Sequence, residues 1–334
     1  MQEAGRSIGR TGWSLGSLLL AGVASSVLTA PAEALNIVPT YTVGVTAPFQ
    51  TAFAAVATRY DNLFTDPVTV NITVSATGTG LGTSSTPLAG VFTYGQVRTA
   101  LLNDYAANPS AARTTASGAG GSINTTTDPT TGGHFFISTA EEKALGLLAG
   151  NNPASDGTFF YNGTLTYTLN HTAAPGAFDF QGVAEHEVSE IMGRIPGLGT
   201  TAFDGSPDFL PYDVFRYTGA NTRGITNTGA GNYFSVDNGT TNLHGYNNHN
   251  LLGGDPQDWD GSNPADSYNA FLSAGQATGI TPVGIEALNV IGWDVVPAPP
   301  IGAGFPTFLA VGGLLFGARL LYRAKRAARF LGVA

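Results

Sequence analysis

In the stretch FQGVAEHEVSEIMGRIPGLG, residues 180–199, His186, Glu187 and Glu190 have the types and spacing that do metal chemistry. On an α-helix, residues four apart lie one turn above each other, so His186 and Glu190 point the same way and can hold one ion between them. Glu187 is rotated by about 100 degrees from His186 and can reach a water on that ion without binding it, the position of a general base. Glutamate ligates zinc through oxygen. With one histidine, Glu190 and a further carboxylate, two negative ligands cancel the charge of a divalent ion. Such an ion acidifies its water less than one held by two histidines and a carboxylate. Zn2+ is the expected cofactor, and the oxygen-rich donor set also admits Mn2+ or Fe2+.

A third ligand must come from elsewhere in the chain. Asp213 is the first choice, because it heads the apolar run "DVFRYT" 23 residues beyond Glu190, where a charge needs a reason. Its plainer role would be an ion pair with Arg216. His244 and His249, in "LHGYNNHNLLGGD", offer nitrogen ligands, or else are ordinary loop polarity. Asp204, Asp208 and His171 are further candidates, and a site without a third protein ligand is also conceivable. Asp255, Asp258 and Asp260 in "GDPQDWDGSN" could bind calcium, but the spacing matches no EF-hand loop, and a solvated acidic turn is the plainer reading.

Several elements have to position these residues. Phe49, Phe53, Val56, Tyr60 and Leu63 keep a helical period over residues 49–64, which Asp66-Pro67 ends. "PVTVNITVS" alternates, with Val68, Val70, Ile72 and Val74 on one face of a strand. A second helix is expected over residues 94–107. The Gly, Ser and Thr-rich segment 110–133 has no apolar period and reads as a surface loop or flexible insertion. Ser138 and Glu141 form a capping box ahead of another helix, and residues 158–169 read as a hairpin, or a strand turned at Asn162-Gly163. The motif helix runs over residues 178–194, with Val183, Ala184, Val188 and Ile191 on its apolar side, and stops before Pro196-Gly197. Short strands near 213–217 and 232–236 precede an acidic, loop-rich region. A last helix over 282–291 has Thr281 as N-cap and Gly292 as its stop. This irregular mixture predicts an α+β domain, and Trp259 and Trp293 read as core or rim anchors.

The chain of 334 residues, 43% of them apolar, is long enough to bury a substantial core, and it lacks cysteine, which excludes disulfides and thiolate metal sites. Between residues 35 and 300 there are seven basic residues against 21 acidic ones, a balance of about −14 that argues against a nucleic-acid partner. The ends differ from this body. Arg6 and Arg10, the apolar stretch Trp13 to Leu28 and Ala32-Glu33-Ala34 make residues 1–34 read as a secretory signal peptide. Residues 297–334 give a proline-rich break, an uncharged run from Ile301 to Ala318 just long enough to span a membrane, and a basic cluster. The expected layout is therefore 1–34 signal peptide, 35–296 domain, 297–334 sorting or anchor segment.

That tail resembles the PEP-CTERM sorting signal of Gram-negative bacteria, with alanine in Val296-Pro297-Ala298-Pro299 where the naming motif has glutamate. His186-Glu187-Val188-Ser189-Glu190 is one letter from the zinc-protease pattern H-E-x-x-H, and with Gly193 it resembles the metzincin pattern H-E-x-x-H-x-x-G-x-x-H. Pro196 stands at that pattern's third-ligand position and cannot serve, and the methionine turn has no counterpart. The pieces "LFTDPVTVNITV", "KALGLL", "GVAEHEVSEIMGR", "PYDVFRYTG", "NYFSVDNGTTNL", "GDPQDWD" and "ALNVIGWD" resemble secreted zincin-type metalloproteases with PEP-CTERM tails. The resemblance implies a zincin-like fold, His186, Glu187 and Glu190 as functional positions, and a peptide or protein substrate. It also implies contact with export and sorting machinery and with the membrane through the C-terminal helix, and a secreted, cell-surface or extracellular-matrix location. The expected function is an exported metal-dependent endopeptidase. The alternative is a non-catalytic surface or matrix adhesion protein on a degenerate zincin fold, with the motif a polar helix facing water.

Overall fold

The computed structural model describes residues 34–201, 205–226 and 230–297. The residues called signal peptide and sorting tail therefore lie, but for one or two positions, outside the described residues, as does Asp204. The described residues fall in one unit of mixed α+β architecture. Among them no helix is long and apolar enough to cross a membrane.

Strand β1 (Asn36–Tyr41), helix α1 (Ala47–Leu63) and parallel strand β2 (Thr69–Ser75) open the domain. Phe53, Val56 and Tyr60 of α1 are buried, as are Val70, Ile72 and Val74 of β2, so the helical and the alternating periods both resolve into buried faces. β3 (Thr77–Ser85), β4 (Leu88–Phe92), α2 (Tyr94–Ala107), α3 (Ala111–Ser117), β5 (His134–Ser138), α4 (Thr139–Ala144) and β6 (Gly157–Asn162) follow. The principal sheet has the order β1-β2-β6-β3; β6 is parallel to β2, and β3 runs antiparallel along its edge. The remaining elements are β7 (Tyr167–Thr168), β8 (Phe178–Asp179), α5 (Phe180–Ile191), β9 (Asp208–Phe209), β10 (Arg216–Gly219), β11 (Thr222–Arg223), β12 (Tyr233–Phe234), β13 (His244–Gly245), α6 (His249–Leu252) and α7 (Pro282–Asn289). Trp259 and Trp293 are fully buried.

Three local expectations need correction. Segment 110–133 is not simply a surface loop: it holds α3, and Arg113 and Ile123 are fully buried. Polar contacts replace an apolar period there, because Arg113 pairs with Asp104 at 2.8 Å and Asp294 at 2.6 Å. The turn after Asn162 exists, but β6 forms no hairpin with β7. Its buried Phe159 and Tyr161 belong to the principal sheet, and β7 pairs in parallel with β8 instead. Residues 211–215 form a 3-10 turn, so Asp213 does not head a strand.

The end of α1 is tied to the last described residues by a bridge between Phe64 and Val295 and by the buried Asp66, whose Oδ2 accepts the Asp294 N–H at 2.8 Å. Burial, with the nearby charge of Asp294, pushes the Asp66 carboxyl up to about 8. The unfolded chain releases this proton near pH 4 and the folded chain near pH 8, so folding stability falls as pH rises between the two. Asp66→Asn keeps an acceptor for Asp294 and cannot ionise. It should stabilise the domain at pH 8 by about 1 to 3 kcal/mol and have little effect near pH 4, read by thermal melts at both values. An unchanged pH dependence would refute an uncharged Asp66.

Candidate metal centre

Helix α5 carries the motif, and its burial explains why these polar residues do not face water. Asp179 caps it by accepting the Gln181 N–H at 3.2 Å. Ala184, Val188 and Ile191 are fully buried. Glu185 is buried against Arg59, and Tyr60 donates to the Glu185 carbonyl at 2.7 Å, which fixes α5 on α1. On another side α5 meets β3 at Gly82, where a Cβ would come within 2.6 Å of Val183 and 2.8 Å of Glu187 Oε1. A side chain at Gly82 would drive the edge strand off the helix. The helix ends at Gly193, whose φ of +108° and closeness to Glu141, 2.4 Å for an added Cβ, leave room for glycine alone.

His186 and Glu190 meet as their spacing predicts, with Nε2 and Oε1 3.4 Å apart. The third group beside them is Asp258, whose Oδ1 lies 3.3 Å from the same Nε2. One donor atom from each of the three residues falls within 4.8 Å of the others. Donors about 2.0–2.2 Å from a tetrahedral zinc ion sit about 3.3 Å from one another, so the separations suit an ion of that size. The partners around the three residues also fit a ligand set. His186 Nδ1 donates to the Ser267 carbonyl at 3.0 Å, which orients the ring so that Nε2 points at the two carboxylates. Ser84 of β3 donates to Glu190 Oε2 at 2.7 Å. Asp258 accepts from Arg194 Nη1 at 2.9 Å.

Arg194 is a residue of this cluster that the motif reading missed. It is fully buried and stacked over Tyr268 at 4.5 Å, its Nε donates to Ser189 Oγ at 2.7 Å, and its Nη2 lies 3.3 Å from His186 Nε2. Burial would lower the His186 pKa, but Asp258 and Glu190 outweigh it and hold it at about 10. Burial would raise Glu190, yet His186, Arg194 and Ser84 pull it down to about 2. Glu187 goes the other way: burial and the charge of Glu190 push its carboxyl well above the usual range. Two carboxylates one turn apart are thus poised for opposite roles, Glu190 as a standing anion and Glu187 as a proton carrier.

Asp213 is not in this cluster, contrary to the first choice made from the sequence. Its Oδ2 accepts the N–H groups of Gly197 at 2.8 Å and Leu210 at 2.9 Å, and its Oδ1 accepts Gln257 Nε2 at 2.6 Å. Nor does it pair directly with Arg216, since the Gln257 amide lies between them and accepts from Arg216 Nη1 at 2.9 Å. Asp213 therefore pins the residue next to Asp258. His244 stacks on Trp259 at 4.8 Å, and His249 Nδ1 contacts the Gly254 carbonyl. His171 is held by Asp179 at 2.7 Å and Glu185 at 3.1 Å, and Asp208 lies in β9. None of these joins the cluster. Asp258 is also no member of a solvated turn, being only 4% exposed. The signal available for it was weak: an aspartate before a buried tryptophan, 68 residues past Glu190.

His186, Glu187, Glu190 and Asp258 open onto a cleft of about 500 Å3, lined also by β3 residues 81–84 and by residues 254–255, 266–267 and 269–272. No family model, no curated protein and no solved structure matches this chain.

Proposed function

We propose that the protein is an exported metal-dependent endopeptidase on a zincin-like fold, with His186, Glu190 and Asp258 as ligands and Glu187 as general base. The observation that carries this reading is the convergence of Nε2, Oε1 and Oδ1 beside Glu187 in an open cleft, with the histidine ring oriented by Ser267. A zinc ion, which His186, Glu190 and Asp258 would hold, would supply Lewis acidity toward a scissile carbonyl and a water. In its carboxylate form, which a cation held beside it would favour, Glu187 takes the proton of the attacking water and passes it to the leaving amine; its burial makes it a stronger base than a solvated carboxylate. Arg194 holds Asp258 in place and keeps a positive charge beside the site. β3 pairs with β6 and with no other strand among the described residues, so its free edge along the cleft can accept an extended peptide as one more strand. The leader-like and tail-like ends are the reason for reading the protein as exported and sorted at the envelope of a Gram-negative bacterium.

One observation favours the second reading, a surface or matrix adhesion protein on a degenerate site. With protons on His186 and Glu187, the cations His186 and Arg194 already balance the anions Glu190 and Asp258, so the cluster needs no ion for neutrality. Elemental analysis of the purified protein, together with casein hydrolysis before and after chelation, separates the two. The peptidase reading expects about one zinc, manganese or iron per chain and hydrolysis that stops with EDTA and returns with added metal. Metal-free protein that binds none on addition and cuts nothing would leave the adhesion reading.

A further inference from the structure

The loops 254–255 and 266–272 bring to the cleft groups that the hydrolytic step does not use. Asp255 is exposed and lines the cleft; its backbone carbonyl accepts from Asn247 Nδ2 at 3.2 Å, but its carboxylate has no hydrogen-bond or ion-pair partner among the described residues. Asn269 is 9% exposed, and its Nδ2 is committed to the Asn263 carbonyl at 2.8 Å, so its Oδ1 is presented as an acceptor and has no partner. Ser267 is 5% exposed, and its Oγ also lacks one. Buried acceptors left unpaired are costly, and a donor arriving in the cleft would satisfy them. Phe271, 57% exposed, completes the set: its ring edge lies 3.2 Å from where a Cβ of Gly254 would stand, next to Asp255. A carboxylate, an amide oxygen, a hydroxyl and an aromatic face form a lining suited to a cationic side chain with an apolar stem.

The rest of the domain points the same way. All seven basic residues between 35 and 300 are turned inward and none is exposed. Arg59 pairs with Glu185, Arg113 with Asp104 and Asp294, Lys143 with Asp156 and Arg194 with Asp258. Arg98, Arg216 and Arg223 donate to backbone carbonyls. The solvent-facing charge of the described domain is accordingly negative, which draws cationic chains toward the cleft and repels acidic ones.

Resting on the endopeptidase reading, we infer that Asp255, Asn269 and Phe271 form a specificity subsite for a lysine or arginine side chain of the polypeptide substrate. The test uses pairs of end-blocked, internally quenched peptides that differ only by lysine or arginine against norleucine, scanned through the positions flanking the scissile bond. End-blocking removes a free N-terminal amine as the source of the cation. At one position the full-length protein should prefer the cationic peptide by about tenfold to a hundredfold in kcat/KM, the size expected of one charged hydrogen bond. Asp255→Asn should bring that ratio close to one. Asp255→Lys should shift the preference to a glutamate peptide, which mere structural damage would not do. Binding of the same pairs by Glu187→Gln, followed by fluorescence anisotropy, judges the subsite without turnover. Cationic preference in binding with no cleavage by the native protein sinks the peptidase reading and keeps the subsite. Cleavage with a ratio within about twofold at every position, or a preference that survives Asp255→Asn, overturns the subsite and leaves the peptidase reading standing.

Discussion

Glu187→Gln should lower casein hydrolysis by about a hundredfold to ten-thousandfold while the metal content stays near one ion per chain. The expectation rests on position. Glu187 is adjacent to His186 and one turn from Glu190, yet the three atoms that converge on the candidate ion come from His186, Glu190 and Asp258. Removing its charge should leave the ligand set intact and remove the group that carries the proton. The amide is nearly isosteric, so the close packing of Glu187 against Gly82 is retained, and a folding defect would not imitate the result. Metal analysis, a thermal melt and the hydrolysis rate on one preparation decide it. If the variant keeps native activity, the water must be deprotonated elsewhere or by no side chain at all, and the assignment of Glu187 fails.

The second large effect concerns the third ligand. Asp258→Asn should weaken metal affinity by about a hundredfold or more, beyond the tenfold to hundredfold typical of residues that only support a ligand. Asparagine is the suitable replacement because its Oδ1 still accepts from Arg194, whose guanidinium is fully buried and would be left unpaired by alanine. Asp213→Asn should stay within about tenfold of the native affinity, since Asp213 reaches the site only through Gln257. Competition with a chromogenic chelator measures both. Metal lost from Asp213→Asn and kept by Asp258→Asn would restore Asp213 as a ligand and reject the arrangement described above.

The contrast between these aspartates shows what could be read from the residues alone. Asp213 and Asp258 both stand beside apolar or aromatic neighbours downstream of the motif, and composition does not separate them. Asp213 had the better local argument, a charge heading an apolar run, but that run begins as a 3-10 turn whose backbone N–H groups take up the carboxylate. Nor was there a local sign that Gln257, clamped by Asp213 and Arg216, would set Asp258 beside His186.

What the residues determined by themselves was local in range. Helical periods gave α1 and α5, alternation gave β2, and the spacing of His186 and Glu190 placed two donors on one helix face, because backbone geometry fixes side-chain direction over a few residues. Tertiary structure decided the rest. It chose for β6 a place between β2 and β3 rather than a hairpin, turned Arg194 inward beside His186, and brought Asp258 from a distant loop. Each of these depends on contacts between residues far apart in the chain, where burial and charge pairing choose the partner and no periodicity records the choice.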